Sequence, residues 1–203
     1  MARPTTFTRE AVLKAAIDIV RRDGEEGLTS RNIGKELGCS SRPMFTLYDN
    51  MESLRLDVRK EAVKLFSKYV EGCLDYVPAF KEYGMRMVRF GIEEHNLFRM
   101  IFFSPELTRE DFGRPLAVCK DAFVKDYDLS IEQADSLASH LWTFVCGLAT
   151  LAHTGAIHLT EEQIRDRLSE QFVGMLIFIK SGKDVHGVIP QKRENGNKIT
   201  KEI

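Results

Sequence analysis

Apolar positions recur at helical spacing along most of the chain, with polar residues and turn formers between the stripes. Val12, Ala16, Ile19 and Val20 form the first stripe. Thr8 is placed to cap it, Phe7 to staple against Val12, and Gly24 to end it. Thr29 is the expected cap of a second, short helix, where Leu28, Ile33 and Leu37 fit one face. The tight connection Leu37-Gly38-Cys39-Ser40 follows. Ser40 is the expected cap of a third helix carrying Met44, Phe45, Leu47 and Tyr48. That cap puts Pro43 in the first turn, where a proline removes no intrahelical hydrogen bond. Two short amphipathic helices about a glycine-containing turn make a helix-turn-helix pattern, with the second helix free to enter a major groove.

Asn50 is placed to cap a long fourth helix whose buried side carries Leu54, Val58, Ala62, Leu65, Phe66, Tyr69 and Val70. Pro78 breaks the pattern, and a fifth helix starts at Ala79 through Phe80, Tyr83, Met87, Val88 and Gly91. His95 to Phe103 is short and very apolar; after Ser104-Pro105, Arg109 to Asp126 reads as a further helix. Ser130 with Gln133, and Thr160 with Gln163, match the capping box, and Leu159 can staple against Ile164. The last stripe closes at Ser181-Gly182. No segment alternates apolar and polar residues between hairpin turns. The expected fold class is therefore all-α, with about nine helices. A three-helix head over residues 1–50 is joined by the long helix to a helical body over 51–182, and 183–203 is expected to be a mobile tail.

The helices after Ser130 and Thr160 are apolar on more than one face. Leu137, Leu141, Phe144, Leu148 and Leu151 make one stripe, and Ala138, Trp142, Val145, Ala149 and Ala152 its neighbour. One helix layer cannot bury both, and small residues permit close approach, so an intersubunit four-helix bundle, hence a homodimer, is expected.

Composition narrows the picture. The chain has 203 residues, 43% hydrophobic and 29% charged, enough for a real core in a globular protein. No apolar run approaches the length of a membrane span, and the first ten residues have no apolar signal core, so no membrane partner and a cytoplasmic location are expected. Net charge is −1, unevenly spread: residues 1–70 hold 13 Lys and Arg against 10 Asp and Glu, and the rest 16 against 20. A basic head on an acidic body suits phosphate contact at one end. The four cysteines are scattered without metal or redox spacing, and His140, His153 and His158 form no ligand pattern. No nucleophile–base set or glycine-rich phosphate loop occurs, so neither an enzyme nor a cofactor is expected.

From Ala11 to Leu54 the chain resembles the tetracycline-repressor (TetR/AcrR) family of transcription regulators. The likeness rests on Leu28-Thr29-Ser30-Arg31-Asn32-Ile33, Leu37-Gly38-Cys39-Ser40, Met44-Phe45, Tyr48 and Leu54. It implies a homodimer that binds a palindromic double-stranded DNA operator, as a repressor released by a small molecule. The DNA-contacting residues it implies are Ser30, Arg31, Ser41, Arg42, Pro43, Phe45 and Thr46; Tyr48 and Asn50 complete the expected DNA-binding set. Phe45, Leu47 and Met51 depart from the family's usual tyrosine, histidine and lysine, which removes phosphate contacts. Arg42, Asn50, helix N-terminal amides and the arm around Arg3 are left to compensate. The competing reading is a helical ligand-binding or protein-interaction module with weakened or lost DNA binding. Methionines and aromatics between Met85 and Phe103 also suit an adaptable pocket. Met87, Phe90, Phe98, Phe102, Phe123 and Trp142 are the candidate residues for an apolar or amphipathic effector.

Overall fold

The computed structural model describes residues 7–40, 44–104 and 113–182. Among them are nine α-helices and no strand: α1 Arg9–Asp23, α2 Ser30–Glu36, α3 Met44–Leu47, α4 Met51–Glu71, α5 Ala79–Glu93, α6 His95–Phe102, α7 Gly113–Tyr127, α8 Ile131–His153 and α9 Glu161–Ser181. Short 3-10 turns follow α1 (Glu25–Gly27) and α4 (Gly72–Asp75). The all-α expectation is met. The expected start at Arg109, Phe112, the arm around Arg3, the tail 183–203, and Ser41, Arg42 and Pro43 lie outside the described residues.

The local signals act where the sequence puts them. Thr8 accepts from the Ala11 amide at 3.2 Å, Thr29 from Asn32 at 3.2 Å, and Asn50 Oδ1 from Ser53 at 2.8 Å. Both capping boxes close reciprocally. The Gln133 amide donates to Ser130 Oγ at 3.2 Å and the Ser130 amide to Gln133 Oε1 at 3.0 Å; Thr160 and Gln163 repeat this at 3.2 and 2.9 Å. Gly38 sits at φ +67°, a conformation that disfavours any side chain, and the Cys39 amide donates back to Gly34 O at 2.8 Å.

α5 is the centre of the body. Its Phe80, Tyr83, Met87 and Phe90 are buried against α4, α7, α8 and α9. Phe66 of α4 meets Phe90 and Phe102 edge-on at 5.2 and 5.3 Å, and a second cluster joins Phe80, Phe123 and Phe172 at about 6 Å. Leu137, Leu141 and Leu148 of one α8 stripe and Ala138, Val145 and Ala149 of the other are all buried within the chain. The fold thus takes in most of both stripes, because α5, α7 and α9 all pack on α8. What stays exposed is smaller: Ile131 and Leu151 on α8, and Val173 and Ile177 on α9.

Head and body share one apolar core through α1, α4 and α6. Polar ties cross the same junction. Arg21 Nε and Nη2 donate to the two Glu94 carboxylate oxygens at 3.0 Å each, and Asn96 Nδ2 donates to Arg21 O at 2.9 Å. Arg99 pairs with Glu26 at 3.3 Å, and Arg59 of α4 pairs with Glu25.

Candidate nucleic-acid interface

The helix-turn-helix is built from α2, the Gly38 turn and α3. Ile33 and Leu28 anchor it on α1. A second clamp comes from Arg22 of α1, which donates to Glu36 of α2 at 3.3 Å and to Asp23. Those carboxylates hold the Arg22 guanidinium above its ordinary pKa, Asp23 first. Asn32 Nδ2 donates to Gly27 O at 2.8 Å and so ties α2 to the turn before it.

Of the expected DNA contacts, Ser30 opens α2 and is half-buried, while Arg31, Phe45, Thr46 and Asn50 are exposed. Asn50 spends its carbonyl oxygen on the α4 cap. Tyr48 is placed differently: it is buried, and Arg9 lies over its ring at 4.5 Å while donating to Asp57 at 3.1 Å. Burial pushes its phenol pKa up. Tyr48 therefore seats α3 on the head's core and presents no open hydroxyl. Lys35, which the sequence reading left out, is exposed four residues after Arg31, hence on the same face of α2. Its i+4 spacing from Arg31 was the available signal. Met51 opens α4 half-buried and packs against the core.

The six residues proposed for an effector are close-packed. Met87, Phe90, Phe98 and Phe123 are buried, and Phe102 and Trp142 partly so. Phe98–Phe102 at 4.5 Å and Phe102–Trp142 at 6.2 Å link four of them around Phe66, whereas Phe123 belongs to the Phe80–Phe172 cluster. A cavity of about 680 Å³ lies elsewhere, at the head–body junction, and none of the six lines it. Its walls are Gly24, Glu25 and Glu26 from the head, Arg59 of α4, His95, Asn96, Arg99 and Met100 of α6 with Phe103, and His153 at the end of α8. His95 and His153 stack at 4.0 Å. His153 Nδ1 donates to Gly91 O at 3.1 Å, which fixes the ring. The fold brings this pair together across 58 residues, and no spacing rule could have found it.

No family model matches the chain. A curated relative, an uncharacterized HTH-type transcriptional regulator of Mycobacterium tuberculosis, is 24% identical over 175 residues, covering 77% of this chain and 75% of the relative. Among solved structures, a chain from Mesorhizobium loti assigned to the TetR family superposes with TM-score 0.64 at 16% identity, over 85% of this chain and 98% of that one. A TetR transcriptional regulator from Rhodococcus gives TM-score 0.54 at 13% identity, over 83% and 94%. SmeT, the repressor of the Stenotrophomonas maltophilia multidrug efflux pump SmeDEF, gives 0.55 at 18%, over 95% and 100%. The chain has the fold of the TetR-family transcription regulators.

Proposed function

We propose that this chain is a ligand-responsive transcription regulator that binds a palindromic DNA operator as a homodimer and represses transcription from it. The observation that carries this reading is the helix-turn-helix itself. Arg31, Lys35, Phe45 and Thr46 are exposed on its two helices, and Tyr48, Ile33 and Leu28 hold it from beneath. Arg42 belongs to the same reading, as do Ser41 and Pro43. Phosphate contacts from α2 set the register, and α3 reads base edges. The fold's relatives named as regulators support the same class.

The dimer reading rests on the outer faces of α8 and α9. Val173 and Ile177 are exposed there, and added side-chain atoms at Gly147 and Gly174 would meet nothing within 4 Å. Small residues beside exposed apolar ones let a second helix pair approach closely.

Fluorescence anisotropy with duplex DNA from upstream of the coding sequence tests the reading. Arg31→Ala should weaken binding similarly on all sequences and lower the salt slope, the mark of a phosphate contact. Met51→Lys should strengthen binding and steepen the log–log salt slope by roughly 0.9 per restored contact. Absence of salt-dependent binding to any such duplex would favour an interaction module over a regulator.

A further inference from the structure

The junction cavity is a distinct chemical environment. One wall is a face of rings: His95 on His153 at 4.0 Å, with Phe103 exposed beside His153 at 6.0 Å between centroids. Burial first, then His153 and Arg99, push the His95 pKa down. The lining also carries Arg59, only 8% exposed, which pairs with Glu25 and, at 3.7 Å, with Glu52. At about 680 Å³ the space suits a small organic molecule.

The Arg59–Glu25 pair is asymmetric. Arg59 is enclosed, at 8% exposure, whereas Glu25 is 32% exposed; Arg99 and Glu26 beside it are both exposed, at 62% and 72%. A cationic ligand that took Glu25 would strip the enclosed guanidinium of that partner. An anionic one has only to rotate a carboxylate into water, and it leaves no buried charge unpaired. The ring wall then supplies the apolar part of the affinity.

We propose that the junction cavity binds an aryl carboxylate, with the ligand's carboxylate on Arg59 in place of that of Glu25 and its ring against His95, His153 and Phe103. Glu25 lies in the turn Glu25–Gly27, whose last carbonyl accepts from Asn32 of α2. Ligand exchange at Arg59 therefore removes one polar tie between α4 and the turn that leads into the helix-turn-helix. This coupling rests on the DNA-binding reading above; the binding site does not. The ligand shifts DNA affinity only because it prefers the head with the Arg59–Glu25 pair open.

Calorimetry on the full chain without DNA tests the site with naphthalene-2-carboxylate, its neutral carboxamide and the cationic naphthalen-2-ylmethanamine. The carboxylate should bind, and the other two at least about tenfold more weakly. Phe103→Ala should weaken the carboxylate. Glu25→Gln, which removes the competing charge, should tighten it by about tenfold, a gain that misfolding cannot produce. No binding of the carboxylate at millimolar concentration, equal binding of the carboxamide, or unchanged affinity in Glu25→Gln would overturn the site. A separate anisotropy titration tests the coupling. Carboxylate that lowers DNA affinity supports it, and carboxylate that binds without changing DNA affinity overturns it. A chain that binds no DNA removes the regulator reading, while the calorimetry still decides the site.

Discussion

His95 shows how a single side chain acquires its character from the fold. In the sequence it is the first residue of an apolar segment; in the structure it faces His153 from α8 and Arg99 from its own helix, and all three influences on it favour the neutral ring. The sign follows directly. The folded ring takes up its proton at lower pH than a free imidazole near 6.5, so just below that pH the unfolded chain binds more protons and stability falls as pH falls. His95→Gln should flatten the decline in Tm between about pH 7 and pH 5.5. Parallel declines in the two proteins would show that other groups set the slope. Tyr48 teaches the complementary lesson. Its position in the motif marks it for DNA, but this aromatic follows the last turn of α3 and is drawn beneath Arg9 into the core.

At the scale of helices, the signals that proved legible are those written within four residues. Thr8, Thr29, Asn50, Ser130 and Thr160 all cap as their spacing requires, because a cap hydrogen bond involves only the first turn. Packing between helices was less legible, since glycine looks the same whether it faces a neighbour or solvent. Gly84 of α5 and Gly147 of α8 make the contrast. A Cβ at Gly84 would lie 2.7 and 2.9 Å from the two Leu168 methyls and 3.3 Å from Val145, and Leu168 is fully enclosed. A Cβ at Gly147 meets nothing within 4 Å. Glycine to alanine in a helix is ordinarily favourable by about 0.5–1 kcal/mol. Gly147→Ala should gain about that amount in the folded subunit, whereas Gly84→Ala should lose about 1–3 kcal/mol through overpacking. Urea denaturation of the two variants checks the opposite signs. Thr160→Ala should cost about 1 kcal/mol by the same measurement.

For the whole molecule, the argument from surplus apolar surface survives in altered form. The two stripes of α8 suggested more apolar face than one chain could cover, and the candidate effector residues suggested a hollow among Phe90, Phe98 and Phe102. In three dimensions these demands largely meet one another: α5 and α6 bring the aromatics against α4 and α8, and little apolar α8 surface remains. Sequence patterns give each helix's faces but not which neighbour each face will find, so both surpluses were overestimated. Leu168 and Phe172, which periodicity alone could assign to a subunit contact, are buried inside the chain, while Ile177 on the same helix is 64% exposed. The two sites therefore separate folding from association. Leu168→Asp buries an unpaired charge among α5 and α8 side chains and should unfold the protein. Ile177→Asp should leave the helical circular dichroism and the melting of the single subunit intact. If α9 forms the subunit contact, that variant shifts the mass by light scattering to the 23.2 kDa of one chain. A stable contact of this kind must cover on the order of 1,200 Å² or more, too much to tolerate a charge at its centre. An Ile177→Asp protein that still runs as a dimer would move the interface away from α9.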